Sequence, residues 1–519
     1  MFQKSWLSVL ALSAFACAET LPAPPATDRD DATETPSATQ PPADCDDLEP
    51  SGVEATVEAQ LAALTTGGAT SVQLVCEAMR VLDARPELNA VPVVWAAESL
   101  EAARQADAAR AAGETTPLLG VPVVVKDNID VAGTPTTGGT PGLADNIAPA
   151  DAPVVRALRE AGAVVMGKAN LHELASGATG LDSAFGPTLH PANPELFPGG
   201  SSSGSAVAVA SGAFGMSLGS DTAGSIRIPA ALTGVVGFRP SLGRYATDGV
   251  IPLASSRDTV GPLAHTVRDV AIVDAVLTGD DVPPPTVDLR EVRIGLPGPV
   301  FYAGLHGEVD RGVQRALDAL AEAGAQLVVA DVPEMVSDLD EAVFFGMALY
   351  EGQQELAAYL EQRPSAPSLP GLVEQIQSPG TRGFFELMLS PAAGDEASYA
   401  AASGARVALQ DLLDGYFAVN ELDAMLYPTT PLPARRVADA SPPEGMLGTP
   451  IELDGEVVTD FLYVRNASVA SSADLPAITL PAGLTADGLP FGIEIAGPAG
   501  ADRELLGIAE AIEAVLAVE

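Results

Sequence analysis

The chain is poor in lysine. Among its 26 basic residues only Lys4, Lys126 and Lys168 are lysines, whereas 69 residues are acidic and the net charge is −43. Such a chain repels phosphates, which argues against a nucleic-acid partner. Histidine is scarce as well, four in all at His172, His190, His265 and His306. Their spacing is too irregular for a metal site, and His172-Glu173 lacks the second histidine of a zinc-protease helix, so no metal is expected. No Walker-type glycine loop appears, and no cofactor is implied. Long apolar runs are missing too. The run Trp6–Ala16 would rise only about 16 Å as a helix, against about 30 Å for a bilayer core.

What the chain does have is a dense Gly/Ser stretch from Gly199 to Pro229, GGSSSGSAVAVASGAFGMSLGSDTAGSIRIP. Two serine-bearing glycine loops, at Ser201 and Ser225, flank an Ala/Val-rich segment that reads as one buried element. Two hydroxyls can then face each other while loop N–H groups point at a substrate. That arrangement activates a hydroxyl nucleophile and stabilises an oxyanion.

A serine nucleophile needs a base. Arginine holds its proton, whereas a buried lysine can lose one. Lys126 ends the apolar run LLGVPVVVK, which reads as a buried strand, and a strand end is a usual place for a catalytic side chain. Neighbouring Asp127 points to the opposite face by alternation and need not hold Lys126 charged. Lys168 also follows an apolar run, AVVMG, so the pattern leaves it open as a candidate.

The segments GVPVVVKDNIDVAG (Gly120–Gly133), GGSSSGSAVAVA (Gly199–Ala210), GSDTAGSIRIPAALTGVVGFRPSLGR (Gly219–Arg244) and DTVGPLAHTV (Asp258–Val267) resemble the amidase signature family. The closing LPAITLPAGLTADGLPFGIEIAG (Leu475–Gly497) is similar to that family's C-terminal signature, and the peptide-amidase branch shares the SSSGS form. The resemblance implies a Ser–cis-Ser–Lys triad. Ser225 is then the nucleophile, Ser201 the bridging serine after a cis peptide bond, and Lys126 the base. It also implies oxyanion-hole N–H groups from Thr222, Ala223, Gly224 and Ser225, with Ser202 and Asp221 in support. The implied reaction is attack on an amide carbonyl, release of ammonia or an amine, and hydrolysis of the acyl-enzyme. Neutral Lys126 needs a pKa far below the usual value of about 10.4, a change that burial supplies.

The chain departs from the family pattern at three places. GGSSGGS becomes GGSSSGS at Ser203, TDTGGS becomes SDTAGS at Ala223, and His265 stands where arginine is common. Ala223 keeps its N–H, so the hole survives if φ there is negative. A rival reading takes Gly200–Gly204 as the G-x-S-x-G elbow of an α/β-hydrolase esterase, with Ser202 as nucleophile. The preceding HPANPELFPGG is ill suited to the strand such an elbow requires.

Residues 1–18 read as a secretory signal, with Lys4, an apolar stretch and small residues around Cys17. Ala14–Cys17 resembles a relaxed bacterial lipobox, which would anchor Cys17 to lipid; ordinary cleavage without lipid fits as well. Residues 19–50, rich in Pro, Thr, Ala and Asp, read as a disordered tether. In an oxidising compartment Cys45 and Cys76 could pair, and Cys76 as a simply buried thiol is the alternative. Export to the periplasm or cell envelope follows from this reading.

Apolar strand candidates at 118–125, 163–166, 234–238, 292–296, 326–330, 423–427, 476–480 and 491–495 alternate with helical stretches near 151–161, 205–213, 266–277, 308–323, 400–418 and 501–517. That alternation predicts an α/β fold with a mixed sheet. The Pro-rich 280–287 invites a domain boundary. The resemblance instead implies one amidase domain over 51–519, its central sheet covered by helices on both sides. The expected partner is a small-molecule or peptide amide. The alternatives are a glutamyl-tRNA amidotransferase A-subunit-like amidase, the esterase above, and a non-catalytic envelope-binding protein.

Overall fold

The computed structural model describes residues 41–438, 447–453 and 455–517. The expected signal segment, Cys17 and the tether up to residue 40 lie outside the described residues. Residues 41–50 correct the tether's boundary, because they pack against the domain. A 3₁₀ turn at Ala43–Cys45 buries Cys45, which forms a disulfide with Cys76 of the helix Ser71–Ala84. Arg80, on the same helix, donates to the carbonyls of Cys45 and Leu48.

In chain order the strands are β1 (Val93–Val94), β2 (Pro122–Lys126), β3 (Val164–Ala169), β4 (Met216–Asp221), β5 (Val236–Arg239), β6 (Thr259–Ala264), β7 (Arg293–Leu296), β8 (Gln326–Val329), β9 (Ala424–Pro428), β10 (Pro450–Leu453), β11 (Glu456–Thr459), β12 (Ala477–Leu484) and β13 (Pro490–Ala496). Eleven of them form one sheet in the order β1-β3-β2-β4-β6-β5-β12-β13-β9-β7-β8, and β10 and β11 make a separate hairpin. The sheet is mixed. β2 runs parallel to β3 and β4, whereas β4 pairs antiparallel with β6. Helices surround it, so this is a single α/β domain. The Pro-rich 280–287 marks no boundary, because β7 and β8 join the same sheet through β9.

All eight expected strands form, and so do all six expected helices, within a few residues. One central element was not foreseen. The segment joining the two serine loops is the helix Ser203–Ala210 followed by strand β4, not a single buried element. β4 reads MSLGSD and has no β-branched residue, so its propensity is weak. Pairing with β2 on one side and β6 on the other makes it a strand.

β2 shows how the sheet divides the core. Val123 and Val125 pack with Val154 and Leu158 on one face. Val124 packs with Met166, Val207 and Ala208 on the other, beneath the Ser203–Ala210 helix. Gly204 lets the start of that helix lie against the Ala90 and Asn170 backbone, since a Cβ there would lie 2.3 Å from the Ala90 carbonyl oxygen. Lys126 continues the Val124 face by strand alternation.

Candidate active site

Lys126 closes β2 with its side chain fully buried. Its Nζ lies 2.7 Å from Ser201 Oγ, 2.9 Å from Ser220 Oγ and 3.4 Å from the Ser220 carbonyl. These contacts are hydroxyls and a carbonyl, not carboxylates. Burial therefore lowers the Lys126 pKa to about 7, although the fields of Asp221 and Asp258 oppose it. Asn128 Nδ2 donates to Ser220 Oγ at 2.9 Å and fixes the second hydroxyl beside the amine. Ser201 follows a cis peptide bond from Gly200, and its carbonyl accepts the His172 N–H at 3.0 Å.

Ser225 sits on the turn between β4 and the helix Arg227–Thr233, half-buried and lining a pocket. The Ser202 N–H donates to the Ser225 carbonyl at 3.1 Å and ties the two serine loops together. Among the described residues, no hydrogen bond links Ser225 Oγ to Ser201. The structure thus joins Lys126 to Ser201 directly and brings Ser225 alongside through the backbone.

Asp221 organises that turn. Its carboxylate accepts the N–H groups of Gly224 (2.8 Å) and Ile226 (3.2 Å), together with the guanidinium groups of Arg227 and Arg239. Burial alone would raise its pKa, but Arg227 and Arg239 hold it well below the carboxylate range. One expectation changes as a result. The Gly224 N–H is committed to Asp221, so it is not a free oxyanion donor; the N–H groups of Thr222, Ala223 and Ser225 have no protein acceptor among the described residues. The positive φ of the turn, 110°, falls on Gly224 and not on Ala223, so alanine is accommodated without strain.

Ser202 is buried, and its Oγ donates to the Ser220 carbonyl at 3.1 Å. No strand precedes it, so the esterase-elbow reading fails on both counts. Lys168 is ion-paired with Asp127 at 2.7 Å, both buried, which removes it as a candidate base. Ser203 begins the helix and donates to Thr188 Oγ1 at 3.1 Å, so glycine is not required there. His172 precedes the single 3₁₀ turn Glu173–Ala175 and lines the pocket. Among the described residues, no group of His, Cys, Asp and Glu side chains is arranged to hold a metal.

The pocket spans about 640 Å³, part of it open to solvent. Thr222, Ala223, Ser225 and Gly200 form its polar end, and Phe344, Phe384, Phe461, Leu253, Ile228 and Val464 line its apolar walls. Phe344, Phe384, Phe461 and Val464 lie on the helices Met335–Glu361, Pro379–Leu389 and Phe461–Ala473, outside the segments that carry the family resemblance. Ser220 and Asn128 were also missed, although the hydroxyl at the first position of SDTAGS was a legible clue to Ser220.

The family described as Amidase matches residues 73–506. An indoleacetamide hydrolase of Agrobacterium vitis is 38% identical, with 76% of this chain and 83% of that protein covered. A mandelamide hydrolase of Pseudomonas putida is 37% identical, covering 86% of this chain and 88% of that protein. The native peptide amidase of Stenotrophomonas maltophilia superposes with a TM-score of 0.73 at 31% identity, covering 88% of this chain and 96% of that one. Sequence, fold and the buried lysine–serine contact agree, and the chain belongs to the amidase family.

Proposed function

We propose that this amidase hydrolyses a primary carboxamide with an aromatic acyl group through a Lys126–Ser201–Ser225 relay. The observation that carries the proposal is a buried amine 2.7 Å from Ser201 Oγ, with its pKa brought near neutrality by burial. Neutral Lys126 accepts the Ser201 proton, Ser201 accepts the proton of Ser225, and Ser225 Oγ attacks the carbonyl carbon. The relay requires a hydrogen bond between Ser225 Oγ and Ser201 Oγ, on loops already joined by the Ser202 N–H. Catalytic contacts of this kind tighten on substrate binding. The N–H groups of Thr222, Ala223 and Ser225 receive the oxyanion, and Asp221 with Ser202 holds the turn. Collapse returns a proton to the leaving nitrogen and releases ammonia, and water then hydrolyses the acyl-enzyme.

The aromatic preference rests on the three phenylalanines in the pocket walls. The named substrates of the similar indoleacetamide and mandelamide hydrolases are also aryl-bearing amides. Ammonia release from purified protein, across arylacetamides, short aliphatic amides, peptide amides and glutamine, tests it. Arylacetamides should have the highest kcat/KM; a preference for glutamine would favour the amidotransferase-like alternative. Ser225→Ala should retain less than about one-thousandth of the wild-type rate and lose labelling by a fluorophosphonate. We further propose that residues 1–18 direct export to the cell envelope, on the strength of Lys4 and the run Trp6–Ala16. The mass of the mature N-terminus in an envelope fraction decides this, and also whether Cys17 carries lipid.

A further inference from the structure

The motif that begins at Asp258 has no part in the relay, yet it reaches the reaction end of the pocket. Thr222 Oγ1 donates to Asp258 Oδ1 at 2.6 Å, and the other carboxylate oxygen accepts the N–H groups of Leu253 (2.8 Å) and Ala254 (2.9 Å). Arg257 Nε holds the Thr222 carbonyl at 3.1 Å from the same loop. Thr222 is therefore gripped by its side chain and its carbonyl, while its N–H is left facing no protein acceptor. Leu253, held by the same carboxylate, lines the pocket with Thr222. The loop is anchored in turn to the long helix Met335–Glu361, where Glu355 accepts from Ser255 (2.9 Å to its N–H) and Glu351 from the Ser256 N–H (3.0 Å).

We propose that Asp258 is a positioning residue for amide hydrolysis: it aims the Thr222 N–H at the developing oxyanion and adds a negative charge to the field of Lys126. This rests on the relay proposed above. A side chain that merely closed the 253–258 loop would need only the Leu253 and Ala254 N–H groups. The bond to Thr222 and the electrostatic reach to Lys126 are separate consequences. Thr222 Oγ1 and the Leu253 and Ala254 N–H groups all donate to Asp258, which favours the ionised form although burial pushes its pKa up. The charged groups around Lys126 are Asp221 and Asp258; Arg227 and Arg239 lie against Asp221, and Arg257 and Arg239 lie near Asp258. Asp127, just past the end of β2, is paired with Lys168 on β3.

The test begins by showing that the wild type hydrolyses an arylacetamide and that Ser225→Ala does not, so that failure of the relay is recognised first. Asp258→Asn should then lower kcat about 10- to 100-fold, the cost of misplacing an oxyanion donor, with KM changed less than about threefold. Loss of the negative charge should move the acid limb of kcat/KM to lower pH, because Lys126 then gives up its proton more readily. Thr222→Val should lower kcat similarly without moving that limb, and Thr222→Ser, which keeps the hydroxyl, should recover most of that loss. In the double variant the Thr222→Val and Asp258→Asn losses should not multiply. An Asp258→Asn kcat within twofold of wild type, an unmoved limb, or multiplying losses would each overturn the proposal. Should Asp258→Asn not fold, equal kcat for Thr222→Val and Thr222→Ser overturns it instead.

Discussion

Lys126 ends β2 and Lys168 lies one residue before the end of the neighbouring parallel strand β3, both fully or almost fully buried, and they do opposite things. Lys126 meets hydroxyls and stays close to neutrality, whereas Lys168 meets the Asp127 carboxylate in an ion pair. A register irregularity separates them. Val123 pairs with Val165 but Val125 pairs with Lys168, so β3 carries one extra residue there. A one-residue slip sends a side chain to the other face of a sheet. Without it Lys168 would sit opposite Lys126 and share its pocket; with it, Lys168 and Asp127 share the opposite face. Gly167 lies within the irregularity, and a Cβ there would be 2.0 Å from the Val93 carbonyl. Two buried lysines thus differ in role because of what each faces, not because of how deeply each is buried.

The largest expected break in this comparison is Lys126→Ala. It should lower kcat/KM by about 10³-fold or more while leaving thermal stability intact, because the amine has no carboxylate partner to abandon. Steady-state hydrolysis of an arylacetamide and a melting curve measure both; a loss below tenfold would erase the distinction. Lys168→Met should do the reverse, costing about 3–5 kcal/mol of stability by stranding buried Asp127. Urea unfolding reads that loss, and adding Asp127→Asn should recover part of it. The smallest and sharpest test is pH. With the Lys126 pKa near 7 and the neutral amine required, kcat/KM should rise with pH through a midpoint near 7. Below that midpoint it should fall about tenfold per pH unit. Lys168→Met, where it folds, should leave that midpoint in place.

Much of the site was legible in the chain. The scarcity of lysine narrowed the base to two residues of the folded domain, the apolar run placed Lys126 at a strand end, and alternation sent Asp127 away from it. The two serine loops were visible as glycine-rich turns because backbone N–H groups can be exposed only where side chains leave room. Ser220 and Asn128 were less visible, since a lone hydroxyl or amide carries no local pattern and acquires a role only through its neighbours. The pocket walls were invisible for the same reason: Phe344, Phe384 and Phe461 come from separate elements and read individually as ordinary core residues.

Local chemistry, then, was fixed along the chain: which residues can lose a proton, which turns can present N–H groups, and which runs bury themselves as strands. Tertiary structure alone decided the pairings. It brought Lys126 to a serine 75 positions later, made a strand of MSLGSD, committed the Gly224 N–H to Asp221 and gave Lys168 a carboxylate. The physical reason is that burial, register and electrostatic field are properties of what surrounds a side chain, and those surroundings are assembled from distant segments.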